Sequence, residues 1–272
     1  EIRNPGPSNR LVGFPYTKAL NSNWDLDQAA ALIVCSAEAA ETAGVARDRW
    51  LFPHSGTDGA DTNFVSNRAD LHSSPAIRVA GRKAMELAGV TPDDIDHVDL
   101  YSCFPSAVQI AATEMELGID RQLTQTGGLT FAGGPLNNYV THSIATMANV
   151  LREDAGTVGL CSANGGYITK HAFGLYSTTP PSNGFKHQDC QTEIDAFPSV
   201  DLDAEHVGSG TIEAYTVMHG ADGPERGLAS VRTPNGRQWA GTSDLPLMES
   251  MMTEEHVGRS VQVLPDFSFE LV

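Results

Sequence analysis

DHVDLYSCFPSAVQIAATEMELG, Asp96–Gly118, contains the repeating unit of the fold. Asp96–Ser102 alternates apolar and polar residues, the period of a strand with one face buried. Pro105 then opens a helical stretch that Gly118 follows, proline in the first turn and glycine past the end. A strand that runs straight into a helix predicts layered α/β structure.

The same alternation extends to both sides. Upstream, Trp24–Gly44 (WDLDQAAALIVCSAEAAETAG) reads as an apolar helix ending at Gly44, and Arg49–Ser55 (RWLFPHS) as a short strand within a loop region near 45–75. SPAIRVAGRKAMELAG is a second helix closed by Gly89, and TPDDID supplies a threonine cap, a proline and first-turn acids. Downstream, NNYVTHSIATMANVLRE reads as a helix, and TVGLCSAN and GYITKHAFGLYS as strands. The expected sheet is mixed and covered by helices on both faces.

The pattern changes after TTPPSNG, a linker by composition. SGTIEAYTVMHG, GLASVRTPNGRQWAGT and RSVQVLPDFSFELV read as strands, with PNGR as a hairpin turn and SDLPLMESMMTEEHVG as one helix among them. This predicts a small OB-like β-barrel over 181–272 and an α/β domain over 1–180.

Composition narrows the functional classes. The chain has 272 residues and a net charge of −17, with no Lys/Arg run that would form a local basic patch. Such a surface repels nucleic acid and anionic lipid. No apolar run nears the roughly 18 residues of a membrane span. Cys35, Cys103, Cys161 and Cys190 form no CxxC pair, and no His/Cys cluster has zinc spacing, so no metal site is expected. Unpaired thiols suggest a reducing, cytoplasmic setting.

Three stretches at strand ends carry chemistry. In DLYSCFPSA, Tyr101, Ser102 and Cys103 sit where open α/β sheets build sites, although a buried cysteine and a serine helix cap would look the same. In TGGLTFAGGPLNNYVTH, Thr126–His142, the glycines match neither a GK[ST] phosphate loop nor a GxGxxG fingerprint. They allow either a close substrate approach or only a tight turn, and His142 follows about one helical turn later. In GLCSANGGYITKH, a Gly-Gly turn brings Cys161, Asn164 and Tyr167 toward one rim; a buried hairpin turn accounts equally well for its glycines.

The order YSCF, GGLTFAGGP, SANGGYITKHAFGLYS resembles the carboxyl-terminal half of the thiolase superfamily, in particular the acetyl-CoA acetyltransferase-like group related to sterol-carrier-type thiolases. The resemblance covers about residues 10–177. The remainder is similar to the extra C-terminal OB-like domain of bacterial thiolase-like proteins. It implies CoA or an acyl-CoA as substrate, no covalently bound cofactor, and a nucleophile-bearing amino-terminal half that would precede Glu1. A homodimer or a partner protein held through the OB-like domain is a further expectation.

Carried over residue by residue, the family's HDCF or NEAF motif falls on Tyr101, Ser102, Cys103 and Phe104. Its GHP motif falls on Gly133, Gly134 and Pro135, so the histidine is replaced. Its CxGGG motif falls on Ala163, Asn164, Gly165 and Gly166, with Cys161 two residues early. The expected catalytic residues are Tyr101, Cys103, His142 and Cys161, with Tyr101, His142 or Tyr167 as the groups that replace what the motifs lack, and substrate contacts are expected from Phe104, Gly133, Gly134, Asn164, Gly165 and Gly166. The departures imply altered or weak thiolase chemistry. The alternatives are a tyrosine-based retro-aldolase on acyl-CoA and a non-catalytic acyl-CoA binder.

Overall fold

A computed structural model describes residues 2–272. In chain order its strands are β1 (Leu11–Gly13), β2 (Tyr16–Thr17), β3 (Phe52–Ala60), β4 (His97–Asp99), β5 (Val158–Gly165), β6 (Lys170–Ser177), β7 (Lys186–Asp189), β8 (Gly208–His219), β9 (Pro224–Thr233), β10 (Gly236–Thr242), β11 (Ser260–Val263) and β12 (Phe269–Leu271). The α-helices are α1 (Ala37–Thr42), α2 (Pro75–Ala88), α3 (Pro105–Glu114), α4 (Gly128–Phe131), α5 (Tyr139–Glu153), α6 (Gln191–Ile194) and α7 (Leu245–Thr253).

Two compact units emerge, and neither is one continuous piece of chain. One gathers Ser22–Asp61 and His72–Phe197; the other gathers Glu1–Asn21, Thr62–Leu71 and Pro198–Val272. A single cut near residue 180 therefore does not describe the division. Residues 181–197 stay with the α/β unit because β7 pairs in parallel with β3 there.

The α/β unit is built on a five-stranded sheet in the order β4-β5-β6-β3-β7. The β4–β5 and β3–β7 pairs are parallel; β5–β6 and β6–β3 are antiparallel. Helix α2 forms because Ser74 caps it by accepting from Ile77 N, Pro75 stands in its first turn, and Gly89 closes it in the left-handed conformation. Its buried stripe of Ala76, Ile77, Val79, Ala80, Ala84 and Met85 packs with α3 and with Phe173 and Leu175 of β6. Helix α5 buries Tyr139, Ser143, Met147 and Leu151 at four-residue spacing, and Met147 and Leu151 pack on Cys161 of β5.

Three sequence expectations need correction. The predicted Trp24–Gly44 helix is helical only over Ala37–Thr42, and Trp24, Ile33 and Val34 are exposed. Propensity without a packing surface does not sustain a helix. The region near 45–75 is not simply a loop, since it contains β3, a nine-residue strand between β6 and β7. The Pro105–Gly118 helix stops at Glu114, and Glu116 turns the chain with φ 58°.

The other unit is an antiparallel sheet. β10, β9, β8, β1 and β2 are successive neighbours, and β11 joins β8 to β12. An isolated bridge of parallel sense, Gly241–Ser268, links β10 to the residue before β12, so the run of neighbours returns to its start. Ile212, Val217, Val231, Met251 and Phe269 fill its core. Arg237 is completely buried, forms an ion pair with Glu213, and donates to the carbonyls of Val65, Ser66 and Arg68. Burial opposes ionisation of Glu213, but Arg237, Ser230 and Arg232 together hold its carboxyl below the ordinary range.

Candidate active site

The site lies in the α/β unit where β4, β5 and β6 present their ends. β4 finishes at Asp99, and the chain beyond it is tied to the sheet by Tyr101 N donating to Ser162 Oγ at 2.8 Å. Cys103 follows, just ahead of α3. The β5–β6 hairpin places Asn164 directly opposite His171. Opposed residues of an antiparallel pair share a face, so both side chains belong to one row. Asn164 Nδ2 donates to Cys103 Sγ at 3.3 Å. These residues, with Tyr101 and Tyr139, line a cleft of about 470 Å³.

Its polar groups are set by burial and by a few fixed partners. Burial pushes the Cys103 thiol above its ordinary range, offset in part by the Phe104 backbone N–H and the Asn164 amide. Burial, and then the neighbouring Cys103, raise the Tyr101 hydroxyl. The Tyr101 and Tyr139 rings meet edge to face, with centroids 5.3 Å apart. Asp99 is fully buried and accepts from Thr124 Oγ1 and Gln125 N at 2.8 Å and from the Tyr139 hydroxyl at 3.0 Å. That carboxylate pins the start of the glycine loop to the first residue of α5.

The loop then turns away from the cleft. Gly133 takes φ 88°, and a Cβ there would lie 2.0 Å from Leu26 Cδ2. Gly134 N donates to Asn23 O at 2.6 Å, and a Cβ on it would lie 2.0 Å from Ser22 Oγ. Both glycines serve close packing on 22–28 and do not border the cleft; the wall on that side is Leu136, Asn137, Tyr139 and Val140.

The structure thus brings together Tyr101, Cys103, Phe104, Asn164, Gly165 and Gly166, with the exposed Tyr167 at the rim. It does not bring Cys161 there. Cys161 is offset from Asn164 by an odd number of residues, so it points to the opposite face, against α5. Burial pushes its thiol up to about 12. His142 lies outside the cleft lining, with Nε2 3.2 Å from Asn138 Nδ2. Sequence reasoning missed Tyr139, Lys170 and His171, all of which line the cleft. The signal for His171 was available: a hairpin centred on GYIT places it opposite Asn164. Among the described residues no group of three or more His, Cys, Asp or Glu is arranged to hold a metal, and no helix is long and apolar enough to cross a membrane.

The chain has counterparts of similar sequence and fold. Residues 57–119 match the family profile described as thiolase C-terminal domain-like, and 189–267 match the thiolase-like protein type 1 additional C-terminal domain. The chain is a relative of the thiolase superfamily. Its structure is similar to that of a monomeric SCP2-thiolase like protein type 1 from Mycobacterium smegmatis, with a TM-score of 0.83 and 32% identity, covering 100% of this chain and 61% of that one. It is 36% identical over 78 residues to an acetyl-CoA acetyltransferase of Methanocaldococcus jannaschii, covering 29% of this chain and 20% of the relative. It is 28% identical over 158 residues to a 3-ketoacyl-CoA thiolase of Alcanivorax borkumensis, covering 57% and 37%. The chain therefore spans between a fifth and about two fifths of these curated relatives.

Proposed function

We propose that this chain belongs to an acyl-CoA-dependent protein of thiolase type whose cleft binds the acyl thioester but performs ordinary thiolysis slowly. The observation that carries this reading is the Asn164–Cys103 contact within the cleft. It supports a polar anchor of amide and thiol on one face of the sheet, next to Tyr101. The slow chemistry follows from two substitutions of kind. Gly134 stands where the family has a histidine, and it has no side chain with which to donate or move a proton. Cys161, the cysteine nearest to the family's last motif, has its thiol held protonated in the core. General acid–base groups contribute about 10²–10⁴-fold each, so their loss removes most of the rate. The four free cysteines support the reducing, cytoplasmic setting.

The test is titration calorimetry of the intact protein that contains this chain with acetoacetyl-CoA, together with thiolysis followed through the enolate absorbance. Binding with a turnover well below the usual range of about 1–10³ s⁻¹ is expected. Turnover inside that range, or no binding at about 1 mM ligand, a free energy of about −4 kcal/mol, overturns the reading.

A further inference from the structure

We propose that His171, whose ring faces the Asp61 carboxylate, is the proton-transfer group of this cleft; the inference rests on the acyl-CoA reading above. His171 lines the cleft yet is only 5% exposed. Its Nε2 lies 3.7 Å from Asp61 Oδ2. Asp61 is itself fixed. Ser74 Oγ donates to Oδ2, and Ala76 N donates to Oδ1 at 3.0 Å, where α2 begins. A carboxylate set at a helix N-terminus and turned toward an imidazole orients the ring and stabilises it when it is protonated.

The row then continues across the sheet. His171 opposes Asn164, and Asn164 reaches Cys103. Asn164 Oδ1 is buried without a hydrogen-bond partner among the described residues. A buried amide oxygen in that condition calls for a donor, and the arm of an acyl-CoA carries amide N–H groups. Asp61, His171, Asn164 and Cys103 thus lie in succession along one face of the sheet, with Asn164 and Cys103 hydrogen-bonded at the cleft.

The step is proton exchange at C2 of the acyl group. The C2–H bond breaks, its electron pair stays on carbon as the enolate of the thioester, and the proton passes to His171 Nδ1, the ring nitrogen not turned to Asp61. The imidazolium, balanced by the Asp61 carboxylate, exchanges that proton with solvent and returns one to C2. The thioester is unchanged and nothing is oxidised or reduced.

The experiment is deuterium incorporation into the acetyl group of acetyl-CoA in D₂O, read by NMR with the full chain, with calorimetric binding in parallel. Wild-type exchange above the protein-free rate is expected. His171→Gln lowers it about 10²-fold or more while binding stays within about twofold. Asp61→Asn lowers it about tenfold, and it carries the test if the first variant does not fold. If neither variant folds, the wild-type His171 ring ¹⁵N shifts decide: movement on saturation with acetyl-CoA supports the proposal, and none refutes it. Intact binding with exchange absent, or unaltered in either folded variant, overturns this inference alone. Loss of binding in His171→Gln reassigns His171 to ligand contact and overturns it as well. A wild-type chain that binds no acyl-CoA overturns both this inference and the reading beneath it.

Discussion

Restoring the family's histidine at position 134 should damage the protein and leave its chemistry unrecovered. Gly134 is not in the left-handed region, so its backbone accepts a side chain and only space opposes one. That space is occupied. An added Cβ meets Ser22 Oγ at 2.0 Å, Leu129 Cδ2 at 3.2 Å and Ser22 Cβ at 3.3 Å. The first contact is more than an ångström inside ordinary approach and forces the Ser22 hydroxyl to rotate away. The other two each require a few tenths of an ångström. Overpacking of this kind costs about 1–3 kcal/mol, so Gly134→Ala should lose that much and Gly134→His at least as much. Ser22→Gly removes both Ser22 atoms, so in a double-mutant cycle the penalty of Gly134→Ala should fall by about 1 kcal/mol or more. The assay is urea unfolding by far-UV circular dichroism on the four proteins, with acetoacetyl-CoA thiolysis measured on Gly134→His. A loss under about 0.5 kcal/mol with no coupling to Ser22 refutes the packing argument. A rise in thiolysis to an ordinary enzyme turnover refutes the placement of the glycine outside the cleft.

Further outcomes follow from buried groups. The Cys161 thiol, raised by burial to about 12, stabilises the fold fully below the unfolded thiol value of about 8.5 and progressively less as pH rises toward 12. Between about pH 9 and 11 the wild type should therefore lose roughly 2–3 kcal/mol more than Cys161→Ala, read from urea midpoints; parallel pH profiles would sink the assignment. Arg237→Met should cost about 3–5 kcal/mol, because three carbonyls and Glu213 lose a buried donor. A cost near zero in thermal unfolding would mean that the packing of the methionine replaces the network.

Local order was legible and long-range partnership was not. Capping residues fixed α2 to within a residue, since Ser74, Pro75 and Gly89 act on their own backbone. TVGLCSAN and GYITKHAFGLYS likewise overlap β5 and β6, although β6 begins four residues later, at Lys170. The Trp24–Gly44 stretch misled because alanine content speaks for helix propensity, while Trp24, Ile33 and Val34 are exposed and bury nothing that would hold a helix among the described residues. For the site, motif order led to Cys103 and Asn164, which do meet. Cys161 was misplaced because nearness in sequence was read without the two-residue period of the strand. Asp61 escaped notice because it reaches His171 through β3–β6 pairing across about 110 residues, which no local pattern encodes.

The interleaved make-up of the antiparallel unit bears on how the polypeptide is made. Residues 1–21 and 62–71 leave the ribosome well before 198–272, the segment that completes their unit. At about 5–20 residues per second, the carbonyls of Val65, Ser66 and Arg68 wait on the order of 8–35 s for the Arg237 guanidinium that will satisfy them. Throughout that interval the α/β unit between them can be completed, so synthesis imposes an order of assembly in which residues 62–71 are made before the α/β unit is finished and find their partners only after it.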